Sequence, residues 1–599
     1  MAQGDALDAR ERPPGFIKNV YKFYQKLSKD ALTSDAGILD LSLGLSPGNC
    51  NTVKKVDNLS RPTVYAACCH LQGVIGLASN LLEADAEVYE AKDIPDPMAT
   101  ETTTWESLGK SKLSSINNSI PSKWRISSIP SIEEQRDVTG PFIQNFLSKE
   151  EVDITETDAV GIVEKTSTGK WTAEEVATAF CHRGSLAHQL TNCLHETFFD
   201  AAIEDAKRLD KYYAQHKAPI GPLHGLPVSL KDQFHVKGVE TTMGYVGWIG
   251  TFMGKKGTGK EKVFESEMVK ELRALGAILY CKTSVPHTLM AGETVNNIIG
   301  YTTNPKNRNL TCGGSSGGEG ALISLRGSPV GFGQQPWLHD PLVHEIPWRD
   351  DQEKQILDII DNGELAFGIM EHDGVIQPHP PVQKAMDMAA KTLKKLGHHV
   401  IEWKPPSHQR GTDILMKVWM GDGGADIHGA VGISGEPLAA QVADIYGTGP
   451  TEQANASKIA AVNIAKREYQ KEYMEYWNST VNLTGTGRPV DALIMPLAPF
   501  AAARPNKYKY LGYSGIINTL DYTSCIVPVT NVDKRLDVVD KNFKPFNEQD
   551  KEIAADYDPE IYDGAHVAVQ LVGRRLQEEK VLALAEHLGD ALKVIELDK

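Results

Sequence analysis

Residues 313–320 read Gly313-Gly314-Ser315-Ser316-Gly317-Gly318-Glu319-Gly320, and this stretch decides how the rest of the chain is interpreted. Two adjacent hydroxyls stand between pairs of glycines, which let the backbone adopt conformations that a side chain would forbid. Such a composition is typical of a flexible linker, yet an apolar segment begins directly after it. No lysine follows at the spacing of a phosphate-binding loop. The stretch therefore indicates an ordered turn, which is either catalytic, anion-binding or purely structural.

The composition of the whole chain narrows the class of protein. Its 599 residues are 41% hydrophobic and 23% charged, which is enough for a sizeable core. The net charge of -16 argues against nucleic acid or an anionic membrane surface as the main partner, because both need a basic face. The eight cysteines form no C-x-x-C pair, so a zinc site has little support. Scattered thiols and a polar N-terminus predict a cytoplasmic protein.

Residues 1–100 are predicted to form an N-terminal extension of unknown role that is partly helical. Residues 64–82 contain no charged side chain, which reaches the lower length limit of a membrane span. Polar interruptions and apolar residues at helical spacing favour a buried or partner-facing helix instead. Residues 91–122 are rich in Asp, Pro, Thr and Ser, which predicts a linker or an exposed entry segment.

A second informative stretch ends at Lys231. Val228 and Leu230 are apolar and follow a turn rich in proline and glycine, which predicts a short buried strand over residues 228–230. A lysine at the end of such a strand is usually a surface residue whose stem packs on apolar neighbours. If the amine is enclosed instead, burial lowers its pKa and the neutral form can act as a base.

The remaining pattern alternates helices and strands. Strands are predicted at residues 277–281, 366–370, 492–495 and 567–571, and helices at residues 200–213, 266–275, 380–396 and 581–588. This alternation indicates the α/β class. Residues 254–260 have the spacing of a nucleotide-binding loop, but Glu261 stands where that loop needs Ser or Thr, so a surface loop is expected.

Two motifs together resemble the amidase signature family. Residues 225–232 (GLPVSLKD) resemble its lysine motif, residues 312–321 (CGGSSGGEGA) its signature core, and residues 567–574 (VAVQLVGR) its C-terminal strand. Residues 190–193 and 293–300 are similar to fungal acetamidase-type members. The predicted domains are therefore the extension over residues 1–100 and an amidase domain over residues 101–599.

The resemblance implies an α/β fold with a mixed β-sheet core sandwiched by helices, and hydrolysis of a carboxylic amide to an acid and ammonia. It implies that Lys231 is a neutral base and that Ser315, on a cis peptide, relays the proton and contacts the substrate. A second serine attacks the carbonyl, and backbone N–H groups hold the oxyanion. Leu289 matches a position that lines the family's acyl pocket. The signature loop corresponds to Gly313, Gly314, Ser316, Gly317 and Gly318. The expected partner is a small amide, with a homodimer as a possible assembly, and no metal or other cofactor is expected.

The chain departs from the family pattern after Gly333. In the family the nucleophile lies about two dozen residues past the relay serine, in a T-D-x-G-G-S segment. Here Gly333 is followed directly by Gln334. The residues from Gln334 onward resemble a part of the family's sequence that lies much further along. No serine occurs between Ser328 and Ser407. An internal segment carrying the nucleophile, its oxyanion loop and central parts of the sheet is therefore predicted to be missing at 333/334.

Three interpretations of this gap remain open. The sequence is an incomplete reading of an intact amidase gene, or it is a shortened, catalytically inactive relative that retains a binding pocket. In the third, Ser315 is itself the nucleophile and Lys231 its base, with a loss of about 10²–10³ in rate because the oxyanion loop is absent.

Overall fold

The computed structural model describes residues 104–332 and 346–597, except for the side chains of residues 595–597. The predicted helix within residues 64–82 and the predicted junction at 333/334 lie outside the described residues. Within the described ranges, no helix combines the length and the apolar composition that crossing a bilayer requires.

Helices and strands occur in both described ranges. In the first range they are α1 (Trp105–Ser119), α2 (Pro141–Gln144), α3 (Lys149–Thr155), α4 (Ala159–Ser167), α5 (Ala173–Thr191), β1 (Leu194–Thr197), α6 (Phe199–His216), β2 (Pro227–Lys231), α7 (Glu267–Ala274), β3 (Ile278–Thr283), β4 (Val295–Asn296), β5 (Gly300–Tyr301), α8 (Gly317–Ser324) and β6 (Gly331–Phe332). In the second range they are α9 (Asp350–Asn362), β7 (Ala366–Ile369), α10 (Pro380–Lys395), β8 (His399–Glu402), α11 (His408–Trp419), α12 (Ala425–Gly432), α13 (Ala440–Tyr446), α14 (Ala456–Ser479), α15 (Val481–Thr484), β9 (Ala492–Met495), α16 (Gly512–Leu520), β10 (Ser524–Asn531), α17 (Glu548–Ala555), α18 (Pro559–Tyr562), β11 (His566–Val572) and α19 (Glu578–Leu597).

The strands of the described residues form two mixed sheets and a small hairpin. The first sheet has the order β1-β3-β2-β6, in which β2 runs parallel to β3 and β6 while β1 is antiparallel to β3. The second has the order β10-β11-β9-β7-β8, with its first three strands antiparallel and the last three parallel. Strands β4 and β5 pair with each other. The predicted α/β class with mixed sheets and flanking helices is confirmed.

Each sheet has its own hydrophobic core. Helix α5 packs against the first sheet, with Phe180 on the helix and Tyr280 on β3 fully buried in one cluster. Helices α10 and α19 cover the second sheet, where Phe367 and Leu571 are fully buried. Helix α5 begins at a capping box, in which Thr172 accepts from the Glu175 N–H and the Glu175 side chain accepts from the Thr172 N–H.

Residues 91–122 are predicted to be a linker or an exposed entry segment, whereas the part that the structure describes is mainly a helix, most of whose residues are exposed. Residues 105–119 form α1, whose first turn is capped by the Thr104 side chain. Ile116 of α1 is buried against Val246 and Ile298. The helix forms because these distant residues cover its apolar side, which the polar local composition could not reveal.

Candidate active site

Strand β2 carries Lys231 into the interior. All five residues of the strand are buried, and Lys231 itself is only 6% exposed. Its Nζ donates a hydrogen bond to Ser315 Oγ at 2.8 Å. The amine is therefore enclosed rather than at the surface, which is the condition set above for it to act as a base. It lies directly against the signature loop.

The signature loop turns sharply before α8. Gly313 has a φ of +89°, and the peptide bond between Gly314 and Ser315 is cis. A Cβ atom on Gly314 would lie 2.2 Å from the carbonyl oxygen of Ala291, so only glycine fits there. Ser316 is the residue before α8, and Gly317 and Gly318 are its first two residues.

Gly318 explains the close contact between α8 and the sheet. A Cβ atom at this position would lie 2.4 Å from the backbone nitrogen of Ser284, the residue that follows β3. The Gly318 N–H also donates to the Ser284 carbonyl at 3.2 Å. The glycines therefore bring Ser315 and the start of α8 against the ends of the strands that carry Lys231 and its neighbours.

Leu289 ends a tight 3-10 turn that begins at His287. Thr288 and Leu289 have φ values of +70° and +60°, which is uncommon for residues other than glycine. The turn is fixed by His287, whose Nε2 donates to Glu436 Oε2 at 3.1 Å while its Nδ1 accepts from the Ala439 N–H. The assignment of Leu289 to an acyl pocket stays a prediction.

Glu319 is a site residue to which the sequence analysis assigned no role. Its carboxylate is 6% exposed, and it accepts hydrogen bonds from Ser229 Oγ at 2.6 Å and from Thr283 Oγ1 at 3.1 Å. Burial raises the pKa of Glu319 to about 7, although these hydroxyls and the charge of Lys231 act in the opposite direction. The signal was present in the sequence, because an acidic residue inside an otherwise uncharged glycine-rich loop is unusual for a mere turn.

A second buried lysine lies on the neighbouring strand. Lys282 of β3 and Asp232, which follows β2, are both 0% exposed, and Lys282 Nζ lies 2.6 Å from Asp232 Oδ1. Burial alone would raise the pKa of Asp232, but His195, Lys282 and the Met243 N–H outweigh it and lower that pKa. Burial holds the pKa of His195 at about 4. These groups form a structural ion pair that fixes the end of β2.

Among the described residues, no three His, Cys, Asp or Glu side chains stand close enough together to hold a metal ion.

Comparison with known proteins identifies the family. The family model described as amidase matches residues 175–335 and 337–582. This chain belongs to the amidase family. The predicted resemblance is thereby confirmed, and with it the class of amide hydrolases.

The curated relatives of the family include fungal acetamidases. The chain is 38% identical over 553 residues to the acetamidase of Emericella nidulans, which covers 82% of this chain and 98% of that protein. It is 37% identical over 555 residues to the acetamidase of Aspergillus oryzae, with 82% and 99% covered.

Solved structures of the family share the fold. A fatty acid amide hydrolase matches with a TM-score of 0.73 and 25% identity over 82% of this chain and 95% of that chain. A 6-aminohexanoate cyclic dimer hydrolase matches with a TM-score of 0.52 and 18% identity over 74% and 98%.

Proposed function

We propose that this chain carries the base and the proton relay of an enzyme that hydrolyses small carboxylic amides to an acid and ammonia. The observation that carries the proposal is the 2.8 Å hydrogen bond from Nζ of the buried Lys231 to Oγ of the half-buried Ser315. Relatives named acetamidase support small aliphatic amides as the substrate class.

The chemistry assigned to these two residues is a proton transfer in two steps. A serine hydroxyl is a weak nucleophile until a base takes its proton. Ser315 would accept the proton of the attacking serine while its own proton passes to Lys231 Nζ. The same path in reverse would deliver the proton to the leaving amine. Enclosure supports the neutral form of the base, because burial disfavours a charged amine.

We further propose that the segment carrying the nucleophile is missing from this chain. The match to the family model is interrupted at residue 336, close to the predicted junction. The alignment with the acetamidase of Emericella nidulans has 553 positions, whereas 82% of 599 residues is about 491. About 60 aligned positions therefore have no residue in this chain.

The transcript, or the intact mass of the natural protein, tests this part of the proposal. We expect an insertion of about 60 residues between Gly333 and Gln334 that includes a serine. A natural protein with the printed sequence would instead be a shortened relative.

The absence of any serine between Ser328 and Ser407 favours a second candidate, an amide-binding protein without turnover. A rise in melting temperature with acetamide or longer amides, without release of ammonia, would support it. Labelling of Ser315 by a serine-directed phosphonate, absent in Ser315→Ala, would count against it and assign the nucleophile to Ser315.

Two further predictions from the sequence stay proposals. We infer a cytoplasmic location, which the free thiols of the described cysteines support. A homodimer is the other, and sedimentation of the purified protein distinguishes it from a monomer.

A further inference from the structure

The carboxylate of Glu319 accepts hydrogen bonds from two residues that lie beside Lys231. Glu319 is the third residue of α8 and follows Ser315 by four positions. Its two donors come from the strands beside Lys231. Ser229 precedes Lys231 by two positions on β2 and so shares its face of the sheet. Thr283 of β3 is the residue paired with Lys231 in the sheet register.

The position of this carboxylate is fixed on a third side. A Cβ atom on Gly331 of β6 would lie 2.1 Å from Glu319 Oε2, so the carboxylate rests against the backbone of that strand. Ser229 Oγ, which donates to the carboxylate, also lies 2.9 Å from Ser328 Oγ. The carboxylate is therefore held by β2, β3 and the start of β6 together.

The charge that acts on this carboxylate is that of Lys231. Asp232 is next in sequence but forms its ion pair with Lys282. Among the described residues, a phenol and two thiols also interact electrostatically with Glu319, namely Tyr280, Cys193 and Cys281. Burial raises the pKa of Cys193 to about 12, and it raises the pKa values of Tyr280 and Cys281 well above their usual range. These three groups are neutral near pH 7, so they do not compete with Lys231.

We propose that Glu319 is a positioning residue that stabilises the ammonium form of Lys231, which arises when Lys231 takes the proton of the Ser315 hydroxyl. The inference rests on the proposed function. A buried carboxylate plays an equivalent part in serine hydrolases, where it orients the base and stabilises its protonated form without taking the proton. Because the pKa of Glu319 is raised only to about 7, its carboxylate is charged above that pH and can stabilise the ammonium form there.

The titration of Lys231 measures this directly and needs no turnover. The full chain is labelled with [ε-¹³C]lysine, and the signal of Lys231 is identified by its loss in Lys231→Met. In Glu319→Gln, which keeps the shape of the side chain and removes its charge, we expect the titration midpoint of Lys231 to fall by about one pKa unit. Ammonia release is assayed separately, so a catalytically silent chain and a failed inference give different results.

Two control variants distinguish the effect of removing the Glu319 charge from the effect of disturbing the structure in general. Glu271→Gln removes another buried carboxylate whose pKa burial raises to about 7, but this one lies on α7. It should leave the midpoint of Lys231 unchanged. Glu319→Asp keeps the charge, so its midpoint should lie closer to that of the parent chain than to that of Glu319→Gln.

An unchanged or raised midpoint in folded Glu319→Gln overturns the inference, as does a Glu319→Asp chain that titrates like the Gln variant. If thermal melting shows that Glu319→Gln does not fold, Thr283→Val is titrated in its place. That variant removes one donor to the carboxylate, so a smaller shift in the same direction is expected. No shift in Thr283→Val overturns the inference as well.

Discussion

Replacing Lys282 by methionine is expected to destabilise the fold by about 3–5 kcal/mol, whereas Lys231→Met should cost only about 1–2 kcal/mol. Lys282 Nζ lies 2.6 Å from Asp232 Oδ1, and it also donates to the Glu240 carbonyl at 2.7 Å and to Thr241 Oγ1 at 2.8 Å. Both members of the ion pair are fully buried, so methionine at position 282 leaves an uncompensated carboxylate inside the protein.

Lys231 is buried to nearly the same extent but has a different environment. Its Nζ donates to the neutral hydroxyl of Ser315. The nearby carboxylate of Glu319 can take up a proton, because its pKa is already raised to about 7. Methionine at position 231 therefore leaves no group that must stay charged, and the fold should tolerate it while proton transfer is lost.

Urea unfolding of both variants at pH 7.5, followed by tryptophan fluorescence and circular dichroism, measures the difference. The double variant Lys282→Met/Asp232→Asn should recover much of the stability, because no buried charge is left without a partner. Equal losses of stability in the two single variants, or a Lys282→Met chain as stable as the parent, would refute the distinction between a lysine that stabilises the fold and a lysine that transfers protons.

Three further outcomes are expected. Burial raises the pKa of Glu271 from 4.5 to about 7, so its protonated form contributes stability that is lost as the pH rises through 7. Glu271→Gln should therefore gain about 1–2 kcal/mol relative to the parent chain between pH 5 and pH 8, in urea unfolding at both values. Glu293→Ala removes the carboxylate that accepts from the N–H groups of Asn506 and Tyr508, and should lower stability by at least about 2 kcal/mol in the same assay. Thr172→Ala removes the cap of α5 and should cost about 1 kcal/mol, seen as a lower melting temperature.

The local sequence was sufficient to predict those features whose burial follows from neighbouring residues. The apolar residues Val228 and Leu230 before Lys231 predicted a buried strand. The apolar segment that begins directly after residues 313–320 predicted an ordered loop at Ser315. The contact between the two residues came from the family resemblance, because their side chains are 84 positions apart in sequence.

Features that depend on distant partners were not predicted. Helix α1 has a polar sequence and is stabilised by residues such as Ile298, far along the chain. An acidic residue among uncharged glycines and serines marks Glu319 as unusual, but its two hydroxyl donors are supplied only when β2 and β3 fold against α8. The division of the strands into two sheets depends on long-range pairing, which the periodicity of single segments does not encode.

Ammonia release from acetamide tests most directly whether Lys231 and Ser315 are the base and the relay of an amidase. Two chains are compared, the printed one and the same chain with the internal segment of the Emericella nidulans acetamidase inserted between Gly333 and Gln334. We expect the extended chain to release ammonia at a rate at least about 10²-fold above that of the printed chain, and Lys231→Met in the extended chain to abolish the difference. A folded extended chain that releases no ammonia, or one that keeps its rate with methionine at position 231, would contradict this assignment.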